Sequence, residues 1–259
     1  MPFAQLKDVR IHYELAGPPS APVLVFSNSL GATLSMWDAQ ASALQKQFRV
    51  LRYDTRGHGQ SSVTPGPYSI EQLALDVVGL LDELRLERVH FCGLSMGGQT
   101  GMWLALNAPV RLNKLILSNT AAKIGTPEIW NPRIEAVRKG GVKSISTAVM
   151  ERWFSADYRA NSPDSVATAK RMLESATPEG YLANCVAVRD YDARAAVAAI
   201  QVPTLVISGT HDVATTPADG RYLANQIAGA RYVELDAAHL SNIEKPEQFV
   251  SETNSFLLS

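Results

Sequence analysis

The sequence predicts an α/β protein: a mostly parallel sheet of about eight strands, helices on both faces, and a helical insertion late in the chain. Three observations predict it. Apolar runs of strand length alternate with stretches of helical periodicity at both ends of the chain. Several of those runs are continuously apolar, as strands covered on both faces are. From about residue 122 to 199 the alternation stops, and only helical patterns with Gly, Pro and Ser-Pro punctuation remain. The expected division is a core of residues 1–121 plus 200–259 and a helical cap of residues 122–199.

Each element has its own signal. Val9–Leu15 (VRIHYEL) alternates like a half-exposed strand and is expected to form a hairpin with FAQL. Val23–Asn28 (VLVFSN) reads as a strand buried on both faces, and Phe48–Asp54 (FRVLRYD) as the next strand. Ile70 to Leu86 carries apolar residues at 70, 73, 77, 80, 81 and 84, a helical stripe. Arg88–Gly93 is a strand, Gly97–Asn107 a helix stopped before Pro109, and Lys114–Asn119 another strand. In the insertion, VRKGGVKSISTAVMERWF and SPDSVATAKRMLESA read as short helices. Pro203–Gly209 and Ala230–Asp236 are strands. PADGRYLANQI and PEQFVSETNSFLL are helices, the last starting at Pro246.

The bulk properties exclude several classes. At 259 residues, 46% hydrophobic and 19% charged, the chain can form one or two globular domains with an ample core. A net charge of −1 leaves no electrostatic footprint for nucleic acid or an anionic membrane. Cys92 and Cys185 have no metal-ligand or disulfide-framework spacing. The start, MPFAQLKDVR, has no apolar signal core, and no apolar run is long enough to span a bilayer, so a cytoplasmic protein is expected.

In open parallel sheets, sites form at the carboxyl ends of the strands. The loop after Arg88–Gly93 reads Gly93-Leu94-Ser95-Met96-Gly97-Gly98, a G-x-S-x-G between strand and helix. Side chains at Gly93 and Gly97 would collide with neighbouring backbone, while the turn pushes the Ser95 hydroxyl out of the sheet. A serine nucleophile needs a base, itself oriented by a third group. Of the five histidines, His12 and His90 fall inside strands, His58 sits in the turn RGHGQS, and His211 follows a strand beside an aspartate. His239 lies in the loop after the last strand, on the edge that carries Ser95, and is the expected base. Asp212, after Pro203–Gly209, is the expected acid. Asp236 lies too near a strand end, and Asn119 offers no carboxylate. Cys92 reads as a core residue, Asp54 and Arg56 as braces of their turn, and Trp37 as a packing anchor.

These residues carry a resemblance to the α/β-hydrolase superfamily over nearly the whole chain: GLSMGG, the DTRGHGQS turn at 54–61, GTHD at 209–212 and AAHLSNIEKPEQF. More narrowly the chain resembles the bacterial 3-oxoadipate enol-lactonases. SNSLGATLSMWD, LRYDTRGHGQSS, PGPYSIEQLALDV, FCGLSMGGQTG, LSNTAAKIGTPEIW, ISGTHDVATTPADG and ARYVELDAAHLSNIE carry that likeness, which is weaker within the insertion. Val213–Pro217 departs from a more proline-rich run. The resemblance implies Ser95 as nucleophile, Asp212 as orienting acid, His239 as base, and backbone amides of Leu30 and Met96 as the oxyanion hole. It further implies a small anionic lactone as substrate, in a stand-alone enzyme of aromatic catabolism with no cofactor and no metal. The substrate's carboxylate calls for a cation. Arg133, Arg138, Arg152 and Arg189 lie in the insertion, and Arg133 with Trp130, just past a strand exit, is the expected pair. A carboxylesterase or cofactor-free perhydrolase, or a non-catalytic binding homologue, would share these motifs.

Overall fold

The computed structural model describes residues 2–259. In chain order its elements are β1 (Phe3–Gln5), β2 (Arg10–Ala16), β3 (Val23–Ser27), α1 (Asp38–Leu44), β4 (Arg49–Tyr53), α2 (Ile70–Glu83), β5 (Val89–Leu94), α3 (Met96–Asn107) and β6 (Leu112–Ser118). Then follow α4 (Pro127–Gly140), α5 (Ser146–Trp153), α6 (Ala156–Asn161), α7 (Pro163–Glu174) and α8 (Pro178–Asp190). The chain closes with β7 (Thr204–Gly209), α9 (Pro217–Gln226), β8 (Arg231–Leu235), α10 (Ser241–Glu244) and α11 (Pro246–Leu258).

The eight strands form one sheet in the order β1-β2-β4-β3-β5-β6-β7-β8. The hairpin end is antiparallel and everything from β4 to β8 is parallel. Period-two alternation divides the strand side chains between two cores. Leu24, Phe26, Cys92, Ile116 and Ile207 pack with α1 and α11, while Val25, Phe91, Leu115, Leu117 and Val206 pack with α3 and α9. The helix of the Ile70 stripe is capped by Ser69, whose hydroxyl accepts from the Gln72 amide, and it ends three residues short of Leu86.

Chain order reverses at β3, which has β4 on one side and β5 on the other. A crevice opens at the carboxyl ends of strands that diverge in this way. The register brings those ends level: Ser27 faces Gly93, Leu94 faces Ser118, Ser118 faces Ile207 and Gly209 faces Leu235. The loops leaving β3, β5, β7 and β8 are therefore neighbours in space, though far apart in sequence.

Helices α4 to α8 all fall between β6 and β7. α8 carries no sequence stripe, because most of its residues are buried, Tyr181, Ala183, Asn184, Cys185, Ala187 and Val188 among them. Gly180 permits the closest approach, since a Cβ there would lie 2.1 Å from the Gly57 carbonyl oxygen.

Candidate active site

Ser95 stands at the β5–α3 junction with φ 58° and ψ −113°. A non-glycine residue held there costs about 1–3 kcal/mol and persists only where its surroundings fix it. They do. Its amide donates to the Ser118 carbonyl at 3.0 Å, and its own carbonyl accepts from Thr120 Oγ1 at 2.8 Å. The turn closes only because two side chains are missing. A Cβ on Gly93 would sit 2.1 Å from the Gly97 oxygen, and one on Gly97 would sit 2.2 Å from the Ser27 oxygen.

Asp212 and His239 meet at the other end of the crevice, with Oδ2 of the acid 2.8 Å from Nδ1 of the ring. Both are buried. Asp212 is held on every side by donors. Oδ1 accepts from the amides of Ala214 (2.8 Å) and Thr215 (3.0 Å), and Oδ2 also accepts from Asn119 Nδ2 (3.0 Å) and Thr215 Oγ1 (2.8 Å). Burial alone would raise its pKa. The charge and hydrogen bond of His239, with the Thr215 and Asn119 donors, outweigh that and leave it lowered.

The backbone around His239 is tied on both sides. The Ala238 amide donates to Glu244 Oε1 at 2.9 Å, and the Leu240 amide donates to the Trp153 carbonyl at 2.9 Å. Glu244 also accepts from the Ser155 amide and hydroxyl, so one buried carboxylate joins the β8 loop to the α5–α6 connection.

The loop after β3 is pinned from β4 outward. Asn28 Nδ2 donates to the Tyr53 carbonyl (2.8 Å) and its Oδ1 accepts from Trp37 Nε1 (3.0 Å). Trp37 is wholly buried and stacks on Phe26 with ring centroids 4.6 Å apart. The Asn28 carbonyl accepts from Gly97, joining this loop to the start of α3. Among the described residues, the Leu30 and Met96 amides have no hydrogen-bond acceptor, which leaves both free for a ligand oxygen.

Ser95, His239, Ser29 and Leu30 line one cavity of about 290 Å³, closed from above by Ile124, Trp130, Arg133, Val149, Arg152 and Trp153. Trp130 and Arg133 lie in the first turns of α4, with the guanidinium carbon 5.1 Å from the Trp130 ring centre and 5.5 Å from that of Tyr181. Arg133 Nη2 donates to the Tyr181 hydroxyl, and its Nε is buried without a partner. Arg152, on α5, faces the same space. Burial and the neighbouring Arg133 charge lower its pKa. Among the described residues neither guanidinium pairs with a carboxylate, whereas Arg138 pairs with Glu135 and Arg189 with Asp190, both outside this cavity.

The structure thus brings Ser95, Asp212, His239, Leu30, Met96, Trp130 and Arg133 around one crevice. Sequence reasoning named Arg152 without selecting it, and it missed the supporting roles of Asn119, Thr215 and Glu244. Asn119 offers no carboxylate. Its amide instead supplies a donor to Asp212, a role no spacing rule shows. His211 is exposed and pairs with Asp236 at 2.8 Å, beside a separate open cleft of about 450 Å³ bordered by Arg159 and Lys245. Cys92 is a core residue whose thiol is pushed up by burial.

A strained serine on a strand–turn–helix, a buried acid–imidazole pair facing it, and this sheet order define a class. Residues 22–246 match the α/β-hydrolase fold, and the chain belongs to that family. It is 43% identical to 3-oxoadipate enol-lactonase 2 of Acinetobacter baylyi over 243 residues, covering 94% of this chain and 91% of that one. It is also similar to the crystal structure of the enol-lactonase from Burkholderia xenovorans LB400, at 50% identity and a TM-score of 0.98 with both chains covered completely. A thermophilic esterase from Thermogutta terrifontis, solved with malate bound, is 31% identical over 96% of this chain and 93% of that one, with a TM-score of 0.90.

Proposed function

We propose that the chain hydrolyses 3-oxoadipate enol-lactone to 3-oxoadipate in the β-ketoadipate route of aromatic catabolism, acting in the cytoplasm. The names of the relatives support the chemistry. The observation that carries the substrate class is the pair of guanidinium groups, Arg133 and Arg152, that face the Ser95 cavity and, among the described residues, form no ion pair with a carboxylate. Two such groups repel each other and lose water on burial, an arrangement that an anionic substrate relieves. The lactone's free carboxylate supplies that anion, at the end remote from the scissile bond. On this reading residues 122–199 are a helical cap on a core of residues 1–121 and 200–259, and the cap's task is to hold the carboxylate.

His239 Nε2 takes the proton of Ser95 as its oxygen attacks the lactone carbonyl. Asp212, accepting at Nδ1, keeps the ring in the tautomer that can do so and stabilises the imidazolium. The oxyanion is held by the amides of Leu30 and Met96, the latter at the N-terminus of α3. The ring oxygen leaves as an enol and takes a proton from His239. Water, activated by the same ring, then releases the acyl group from Ser95, and the enol becomes the ketone.

The test follows the loss of the lactone's ultraviolet absorbance beside hydrolysis of p-nitrophenyl acetate. The proposal expects strong preference for the lactone. Robust ester turnover without lactone activity would point to a carboxylesterase, and failure of Ser95 to react with a fluorophosphonate to a non-catalytic homologue.

A further inference from the structure

Three buried histidines, His12, His58 and His90, are left unused by this chemistry, and His58 touches the loop after β3. His58 lies in the turn after β4, and its Nε2 accepts the Gly31 amide at 2.8 Å. Since Gly31 is the donor, the neutral ring's own proton must sit on Nδ1, beside the Arg56 carbonyl and 3.3 Å from Asn184 Nδ2, whose hydrogens go to the Arg56 and Gly180 carbonyls. Burial pushes this imidazole down to about 4, so Nε2 stays an acceptor at neutral pH. The same turn holds the opposite side of the loop: Asp54 Oδ1 accepts the Leu34 amide at 2.8 Å. In the stretch between, the Ala32 amide is spent on the Ser29 carbonyl and the Gly31 amide on His58. The Leu30 amide is left over, at the wall shared with Ser95.

We propose that His58 is a positioning residue for the oxyanion hole: by taking the Gly31 amide it fixes the loop so that the Leu30 amide joins that of Met96 at the Ser95 carbonyl adduct. This rests on Ser95 being the nucleophile, which a Ser95→Ala control decides separately. With that control inactive, the His58 variants read this inference alone.

Glutamine can place an amide oxygen where Nε2 lies; asparagine reaches only as far as Nδ1. His58→Asn and His58→Ala should lower kcat on p-nitrophenyl acetate by about 10²-fold, the cost of a misplaced catalytic group, with KM little changed. His58→Gln should recover most of that loss. Wild-type kcat in the Asn and Ala variants, or a loss that Gln does not repair, would overturn the proposal. A measurement on the wild type covers the case where variants fail to fold. In ¹⁵N-labelled protein the Gly31 amide should show a coupling across the hydrogen bond to His58 Nε2, and a Gly31 amide with no such coupling and rapid exchange would overturn it too.

Discussion

Replacing Asp212 by Asn keeps its size and removes its charge. Both carboxylate oxygens accept only. Oδ1 is fixed by two backbone amides, and Oδ2 takes Asn119 Nδ2, Thr215 Oγ1 and His239 Nδ1. Backbone donors cannot turn away, so the new amide oxygen must occupy the Oδ1 position and its NH₂ the Oδ2 position. There it confronts the NH₂ of Asn119 and turns His239 into an acceptor at Nδ1. The ring then carries its proton on Nε2 and cannot take the one on Ser95. A change of this kind costs on the order of 10⁴ in kcat, or about 5 kcal/mol of barrier. The donor facing Asn119 costs a further ~1–3 kcal/mol of stability. The assay is kcat at saturating lactone, with a urea midpoint on the same sample. A folded Asp212→Asn enzyme within an order of magnitude of wild-type kcat would refute the assignment of Asp212 as the group that orients His239.

Three other outcomes follow from the same geometry. Arg133→Met and Arg152→Met should each raise KM for the anionic lactone far more than for p-nitrophenyl acetate, and equal effects on both substrates in steady-state kinetics would reject the carboxylate subsite. Gly93→Ala places a Cβ 2.1 Å from a backbone oxygen, so it should cost more than about 3 kcal/mol and show as lost soluble yield or a collapsed Tm. His58 is lowered from 6.5 to about 4. Between those values the unfolded chain binds a proton that the fold excludes, so stability falls as pH falls, by up to about 3 kcal/mol from this group. His90, lowered by burial and Lys114 to about 4 as well, adds to the same slope. Urea midpoints at pH 7 and 4.5 should therefore converge partly, not wholly, in His58→Gln.

The sheet was legible because period-two burial on two faces leaves continuous apolar runs, as in Val23–Ser27 and Thr204–Gly209, both buried nearly throughout. Ser95 was legible because its turn demands two glycines at fixed offsets. α8 was not, since most of its residues are buried and its more exposed side carries Leu182 and Val186, so no polar face gives it a period. The carboxylate subsite was half legible. Four arginines in the insertion look alike in sequence; what separates Arg133 and Arg152 from Arg138 and Arg189 is that they face the Ser95 cavity and, among the described residues, form no ion pair, and the place of each in the fold decides that. The roles of Asn119, Glu244 and His58 were hidden for a related reason. Each acts through hydrogen bonds that reach a segment distant in sequence, Asn119 to Asp212, Glu244 to Ser155 and His58 to Gly31.

In the proposed mechanism Ser95 carries the acyl group during ring opening of the lactone. Rapid quenching of the enzyme during lactone turnover, followed by peptide mapping, tests it most directly. The expected result is the lactone-derived mass on the peptide bearing Ser95, with neither adduct nor appreciable turnover in Ser95→Ala. Lactone consumed by Ser95→Ala at the wild-type rate, or an adduct on any other residue, would contradict it.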